Sequence, residues 1–158
     1  MGTPCPVGPE AAIAPPTRRL PGARNSGARI TFMGYTGEIA NIFKTSGAAV
    51  SMNGRSYVTV DNVRGDSTYM FADFRGADHC WLLNSTLVNS SDTGGWPVGV
   101  RMYNNARYNR LAGCVIGNSG HMTSNDDIGG LFNLGAWDNT SDSTAYNLVE
   151  NNVLYHGG

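Results

Sequence analysis

Lysine is almost missing from this 158-residue sequence: Lys44 is the only one, and every other basic side chain is an arginine. Arginine keeps its charge at any accessible pH and grips carboxylates with paired hydrogen bonds, so the bias suits an acidic sugar polymer or a salt-bridged surface. Charged residues make up only 15% and the formal net charge is −1, which leaves no electrostatic footprint for nucleic acid or an anionic membrane surface. Cysteine is scarce too. Cys5, Cys80 and Cys114 are odd in number and far apart, with no CxxC pair and no histidine at zinc-ligand spacing, which argues against a redox or zinc centre. No apolar run approaches membrane-spanning length, and the first residues lack the charged-then-apolar order of a signal peptide. Met1-Gly2 opens the chain, but Pro6 stands where myristoylation wants Ser or Thr. Helical periodicity is missing as well.

What is present is glycine and short β-type segments. With 21 glycines and 41% hydrophobic residues, the chain has the composition of one loop-rich, β-dominated domain. Residues 1–28 carry six of the seven prolines and the Arg18-Arg19 pair without apolar period, and are expected to form an irregular tail or cap. From Arg29 onward come ITFMGY, AVSMNG, SYVTV, VGVRMY and YNLVENNVLY, separated by Gly, Asn, Asp and Ser clusters.

Self-similarity organises these segments. Tyr108 to Asn118 lies on Tyr146 to His156 without a gap at a shift of 38 residues, so that aliphatics coincide at 111/149, 115/153 and 116/154. A shift of 28 puts Leu83 to Asn89 on Leu111 to Gly117, and Val60 to Val63 reads as a shorter first copy about 23 residues earlier. Unequal spacing between preserved strands places the variation in loops, as in a solenoid. An all-β parallel β-helix of about four or five coils is the expected fold. Stacked rungs would give inward columns Val60/Leu83/Leu111/Val149 and Val63/Leu87/Val115/Val153, with corners at 62, 85, 113 and 151. Those corners hold Asn, Ser, Gly and Asn, types that tolerate left-handed backbone or bond their own main chain.

The segments ITFMGYTGE, SYVTVDNVRG, YNRLAGCVIGN and YNLVENNVLYHGG resemble the right-handed parallel β-helix, pectate-lyase-like superfamily over roughly residues 29–158. Residues 1–28 do not look like the amphipathic cap common in such solenoids, and YHGG stops inside a continuing repeat. A fragment with an uncapped end is therefore expected, open to self-association. The superfamily mixes lyases, glycoside hydrolases, epimerases and non-catalytic adhesins. The resemblance implies an extracellular or cell-surface setting and a glycan or polysaccharide partner. The function it implies is a lyase for uronate-containing polymers, or a non-catalytic glycan-binding or structural module.

Carried onto this chain, the family's sugar-binding face comprises Ala49 to Met52, Met70 to Phe74, Val98 to Met102 and Phe132 to Leu134. Alternation turns Val50, Ala72, Val100 and Phe132 inward, together with Met52, Phe74, Met102 and Leu134. It leaves Ser51, Asp73, Arg101 and Asn133 as an outward column. In a lyase Arg101 would hold the substrate carboxylate or act as the base, with Asp73 beside it; in a plain surface the two form a cross-strand charge pair. His121 is the candidate acid or base from the loop of residues 119–129; Ca²⁺ would draw oxygen ligands from Asp73, Asn133 or the Asn125-Asp126-Asp127 cluster, where Asp126 and Asp127 otherwise close turns. Asn133, Arg75 and Arg107 are expected to contact substrate. Trp96 and Trp137 either stack on sugar rings or pack their own loops, whereas Trp81 precedes a core leucine and is expected to pack. The hydrolase reading falls behind because Gly120-His121 comes before Asp126-Asp127 and no Arg-Ile-Lys segment occurs. His79 and His156 are read as strand-edge structural residues.

Overall fold

In the computed structural model, residues 28–90, 98–119, 130–135 and 141–157 are described; the expected proline-rich tail lies outside them. They form fourteen strands and no helix. The first sheet consists of β1 (Ile30–Met33), β4 (Val58–Asp61), β7 (Trp81–Leu83), β10 (Arg110–Ala112) and β13 (Leu148–Glu150). The second consists of β2 (Ala40–Ile42), β5 (Val63–Asp66), β8 (Thr86–Val88), β11 (Val115–Ser119) and β14 (Val153–Gly157). The third consists of β3 (Ala48–Ser51), β6 (Met70–Asp73), β9 (Val98–Met102) and β12 (Gly130–Leu134). Every strand pairing is parallel. Each sheet takes every third strand, so the chain visits the three in turn and stacks each pass on the last. This arrangement is compatible with a parallel β-solenoid.

The register corrects the sequence alignment by one residue. Val60 pairs with Leu82, Leu82 with Leu111, and Leu111 with Val149, so the inward column contains Leu82 rather than Leu83. Leu82 is fully buried and Leu83 is not. In the second sheet Ile42, Gly65, Leu87, Ile116 and Leu154 share a column. Val115 and Val153 do pair, but with Thr86 and Arg64 rather than Leu87 and Val63. The slip matters because one residue exchanges the two faces of a strand. The third sheet matches expectation more closely: Ser51 pairs with Asp73, Asp73 with Arg101, and Arg101 with Asn133. Val50, Ala72, Val100, Met52, Phe74 and Met102 are buried as alternation requires, while Leu134 on the edge strand β12 is exposed.

The first corner explains how the stack turns so tightly. Asn62, Asn84, Gly113 and Asn151 occupy it with φ of 52°, 46°, 66° and 54°, the left-handed region that Asn and Gly enter most cheaply. The corner at position 85 is thus corrected to 84. The next problem is the buried main chain at each bend, which must find hydrogen bonds. Inward polar side chains supply them. Asn109 Oδ1 accepts from the Cys80 amide at 2.8 Å, Asn147 Oδ1 from Asn109 at 3.0 Å and Asn152 Oδ1 from Cys114 at 2.8 Å. Ser85 Oγ serves Val63 in the same way. The apolar core between the sheets is built from Leu82, Leu87, Leu111, Ile116, Phe71 and Phe74.

Candidate functional site

Among the described residues, the cluster at the outward column of the third sheet holds two of the three buried side-chain polar atoms that lack a partner. Arg101 Nη2 donates to Asp73 Oδ2 at 3.1 Å, with the arginine side chain 22% exposed and the carboxylate only 5%. Asn53 Nδ2 donates to the same oxygen at 3.1 Å, and the Arg75 amide donates to Asp73 Oδ1 at 3.1 Å. Asp73 therefore points away from the core yet lies beneath its own ligands. The guanidinium of Arg101 stands 5.0 Å from the Tyr103 ring centroid and that of Arg75 stands 5.9 Å away. Two atoms of the cluster are buried without a partner: Arg101 Nε, a donor, and Asn53 Oδ1, an acceptor. An unpaired buried polar atom costs about 1–3 kcal/mol. Having both in one cluster marks a place where a water or a ligand group would be gained.

The structure brings Asp73, Arg101 and Arg75 together, and sets Asn133, exposed, in register beside Arg101. Arg107 goes elsewhere. It sits in the bridge column Ser56, Asp78, Arg107, Ala145, where Nε donates to the Ser143 carbonyl at 2.9 Å and Nη2 bonds Ser143 Oγ. His121, Asp126, Asp127, Trp96 and Trp137 lie outside the described residues. Among the described residues no group of three or more His, Cys, Asp or Glu gathers as a metal site, and both oxygens of Asp73 are already occupied by donors. Asn53 and Tyr103 were missed by the sequence reading. Both stand in the turn that follows a strand of the third sheet, where alternation no longer says which way a side chain points.

A scan against family models finds no match, and neither the curated proteins nor the solved structures match the chain.

What the third-sheet cluster can do therefore follows from its own geometry. A guanidinium is always protonated and presents five donors in a fixed fork. With Asp73 holding one edge of Arg101, the group is fixed in direction while its remaining donors stay available for an anionic or hydroxyl-rich ligand. Tyr103, itself buried, sets an aromatic ring within reach of both guanidinium groups.

A second strip runs along the corner before the first sheet. Tyr57, His79, Tyr108 and Tyr146 stack in order with ring centroids 4.9, 4.8 and 5.0 Å apart. All four have φ between 54° and 60°, a strained choice for bulky side chains that the stacking helps to offset. His79 Nδ1 is 3.1 Å from Asp78 Oδ2, within ion-pair reach but without the angle of a hydrogen bond. Trp81 points outward from β7 rather than into the core, with Arg29 3.7 Å and Arg110 5.7 Å from its ring centroid. Arg29 also bonds the carbonyls of Val58 and His79 and the hydroxyl of Thr59, so it clasps β1 to the strands below. Burial lowers its pKa, against coulombic contributions from Cys80 and Tyr57 that raise it. On the far side Asp142 fixes the turn at Asn104 and Asn105. Desolvation pushes its carboxyl up, but the Asn105 amide, the Thr144 hydroxyl and amide, and the Asn104 amide outweigh this and hold it at about 2.

Proposed function

We propose that this chain is a carbohydrate-binding right-handed parallel β-helix whose third-sheet face takes an acidic polysaccharide. Right-handedness is supported by the rule that parallel strands joined through a crossover are right-handed in about 98% of cases. The observation that carries the functional reading is Arg101, held by Asp73 while its buried Nε goes unpaired. Arg101 would meet a uronate carboxylate, Arg75 and Asn133 would extend the contact along the polymer, and Tyr103 would support both guanidinium groups. Binding is the simplest use of such a face. β-Elimination would need Arg101 or a neighbouring side chain to take a proton from the sugar, and Arg101 is already committed to a carboxylate.

Retention on immobilised polygalacturonate and on neutral dextran tests the proposal. The wild-type chain is expected to bind the acidic polymer in a salt-sensitive manner and to ignore the neutral one. Arg75→Ala, on an exposed side chain outside the ion pair, is expected to weaken binding about tenfold, equivalent to about 1.4 kcal/mol. Arg101→Ala is the stronger change, but it strands the Asp73 carboxylate, so its binding is to be compared with Arg101→Lys. Equal retention on both polymers, or no change in either Arg75→Ala or Arg101→Lys, overturns the reading. Release of unsaturated products by wild type, absent in Arg101→Lys, would make the face catalytic.

A further inference from the structure

We propose that the 158-residue chain associates head to tail with further copies of itself, β1 and β2 of one copy pairing with β13 and β14 of the next. Among the described residues the large exposed hydrophobic side chains are not scattered. All except Tyr108 lie on or beside the edge strands of the three sheets. At one end Phe32 is 61% exposed, Ile39 68% and Phe43 72%; at the other Tyr146 is 73% exposed, Val153 58% and Leu154 46%. Apolar exposure concentrated at two opposite ends marks contact surfaces rather than ordinary surface composition.

The two ends fit each other in particular. The inward columns run Phe32, Val60, Leu82, Leu111, Val149 in the first sheet and Ile42, Gly65, Leu87, Ile116, Leu154 in the second. Setting Phe32 of a second copy on Val149, and its Ile42 on Leu154, continues both columns with the same kind of residue in the same register. The first end is also concave: a cavity of about 310 Å³ opens there, lined by Phe32, Ile42, Val50, Met52, Val58 and Val60 among others. It offers room for the apolar side chains of the opposite end.

Nothing on the edge strands opposes this pairing. Edge strands are normally blunted by lysine, proline or a free inward charge. β1, β2, β13 and β14 contain neither lysine nor proline. Their one carboxylate, Glu150, is tied to Arg110 Nε at 2.8 Å and Nη2 at 2.6 Å. The match covers the first and second sheets, which have five strands each; the third has four. Because the joined surfaces differ, the contact is heterologous and repeats along the solenoid axis without closing, which yields open filaments rather than a dimer.

Sedimentation velocity on the full chain over a range of concentrations tests this. Wild type is expected to form a concentration-dependent series of oligomers. Phe32→Glu blocks one end and Leu154→Glu the other, so each variant alone is expected to be monomeric. A mixture of the two should form one-to-one heterodimers that grow no further. If circular dichroism shows that either glutamate variant fails to fold, Ile30→Lys and Leu148→Lys on the same edges replace them. Monomeric wild type at every concentration overturns the proposal. Dimers of Phe32→Glu alone overturn it too, since they require like ends to meet. Because assembly is read without polysaccharide, its failure is separate from failure of the glycan-binding face.

Discussion

Asn109 is 1% exposed, and nearly every hydrogen-bonding group on its side chain is engaged. Its Oδ1 accepts from the Cys80 amide, while Nδ2 donates to the Ala77 carbonyl and to Asn147 Oδ1, both at 2.9 Å. Asn109→Leu preserves much of the volume but leaves the Cys80 amide without a partner inside the stack and takes one of two donors from the Ala77 carbonyl, which keeps the Arg107 amide. An unpaired buried amide costs about 1–3 kcal/mol, only partly recovered by the added apolar burial, so a net loss of about 1–2 kcal/mol is expected. Urea denaturation measures it; a loss under about 0.5 kcal/mol would mean that water reaches this bend. The recurrence of Tyr-Asn at 108–109 and 146–147 was visible in the sequence. Its role was not, because a pattern of apolar-in and polar-out has no place for an asparagine that faces inward to serve the main chain. The same limit hid Asn53 and Tyr103, whereas Asp73 and Arg101, inside strands with clean alternation, could be placed on adjacent rungs from sequence alone.

At the scale of the strand, the lesson concerns register. The strands, their parallel order and the third-sheet column were accessible from repeats and alternation, but the offset from β7 to β10 is 29 residues, not 28. The sequence contains Leu82 and Leu83 side by side, and both offsets lay a leucine on Leu111. The corner residues break the tie. An offset of 29 puts Asn84 on Gly113 and Asn89 on Asn118, all four with positive φ, whereas 28 puts Ser85 on Gly113. Asparagine and glycine at the sharpest bends are better register marks than aliphatics, because left-handed backbone excludes most alternatives at about 1–2 kcal/mol. Alanine substitutions distinguish the two registers. Leu82→Ala opens a cavity in the core and is expected to cost about 2–5 kcal/mol, while Leu83→Ala on the partly exposed face should cost under about 1 kcal/mol. Equal costs, measured by thermal or urea unfolding, would contradict the inward column described for the first sheet.

Across the molecule, stability has a direction. A stack in which each pass touches only its neighbours behaves as a chain of locally coupled units, so opening is expected to begin at the outer strands and move inward. Two buried thiols are placed to report it. Cys80 precedes β7, with two strands of the first sheet on either side, and Cys114 lies between β10 and β11, one strand from the edge. Both are fully buried and free, and burial raises both pKa values above the usual thiol range against hydrogen bonds that lower them. A thiol so placed is protonated and shielded at neutral pH, and alkylation needs the thiolate. Each cysteine should therefore resist alkylation until its part of the stack opens. In a Cys5→Ser background at rising urea, Cys114 is expected to label at lower denaturant than Cys80, since only β13 and β14 must leave to expose it. Simultaneous labelling would show one cooperative unit in place of a fraying stack. The comparison also bears on assembly, because a second copy seated on β13 and β14 would protect Cys114 first and move its labelling toward that of Cys80 as protein concentration rises.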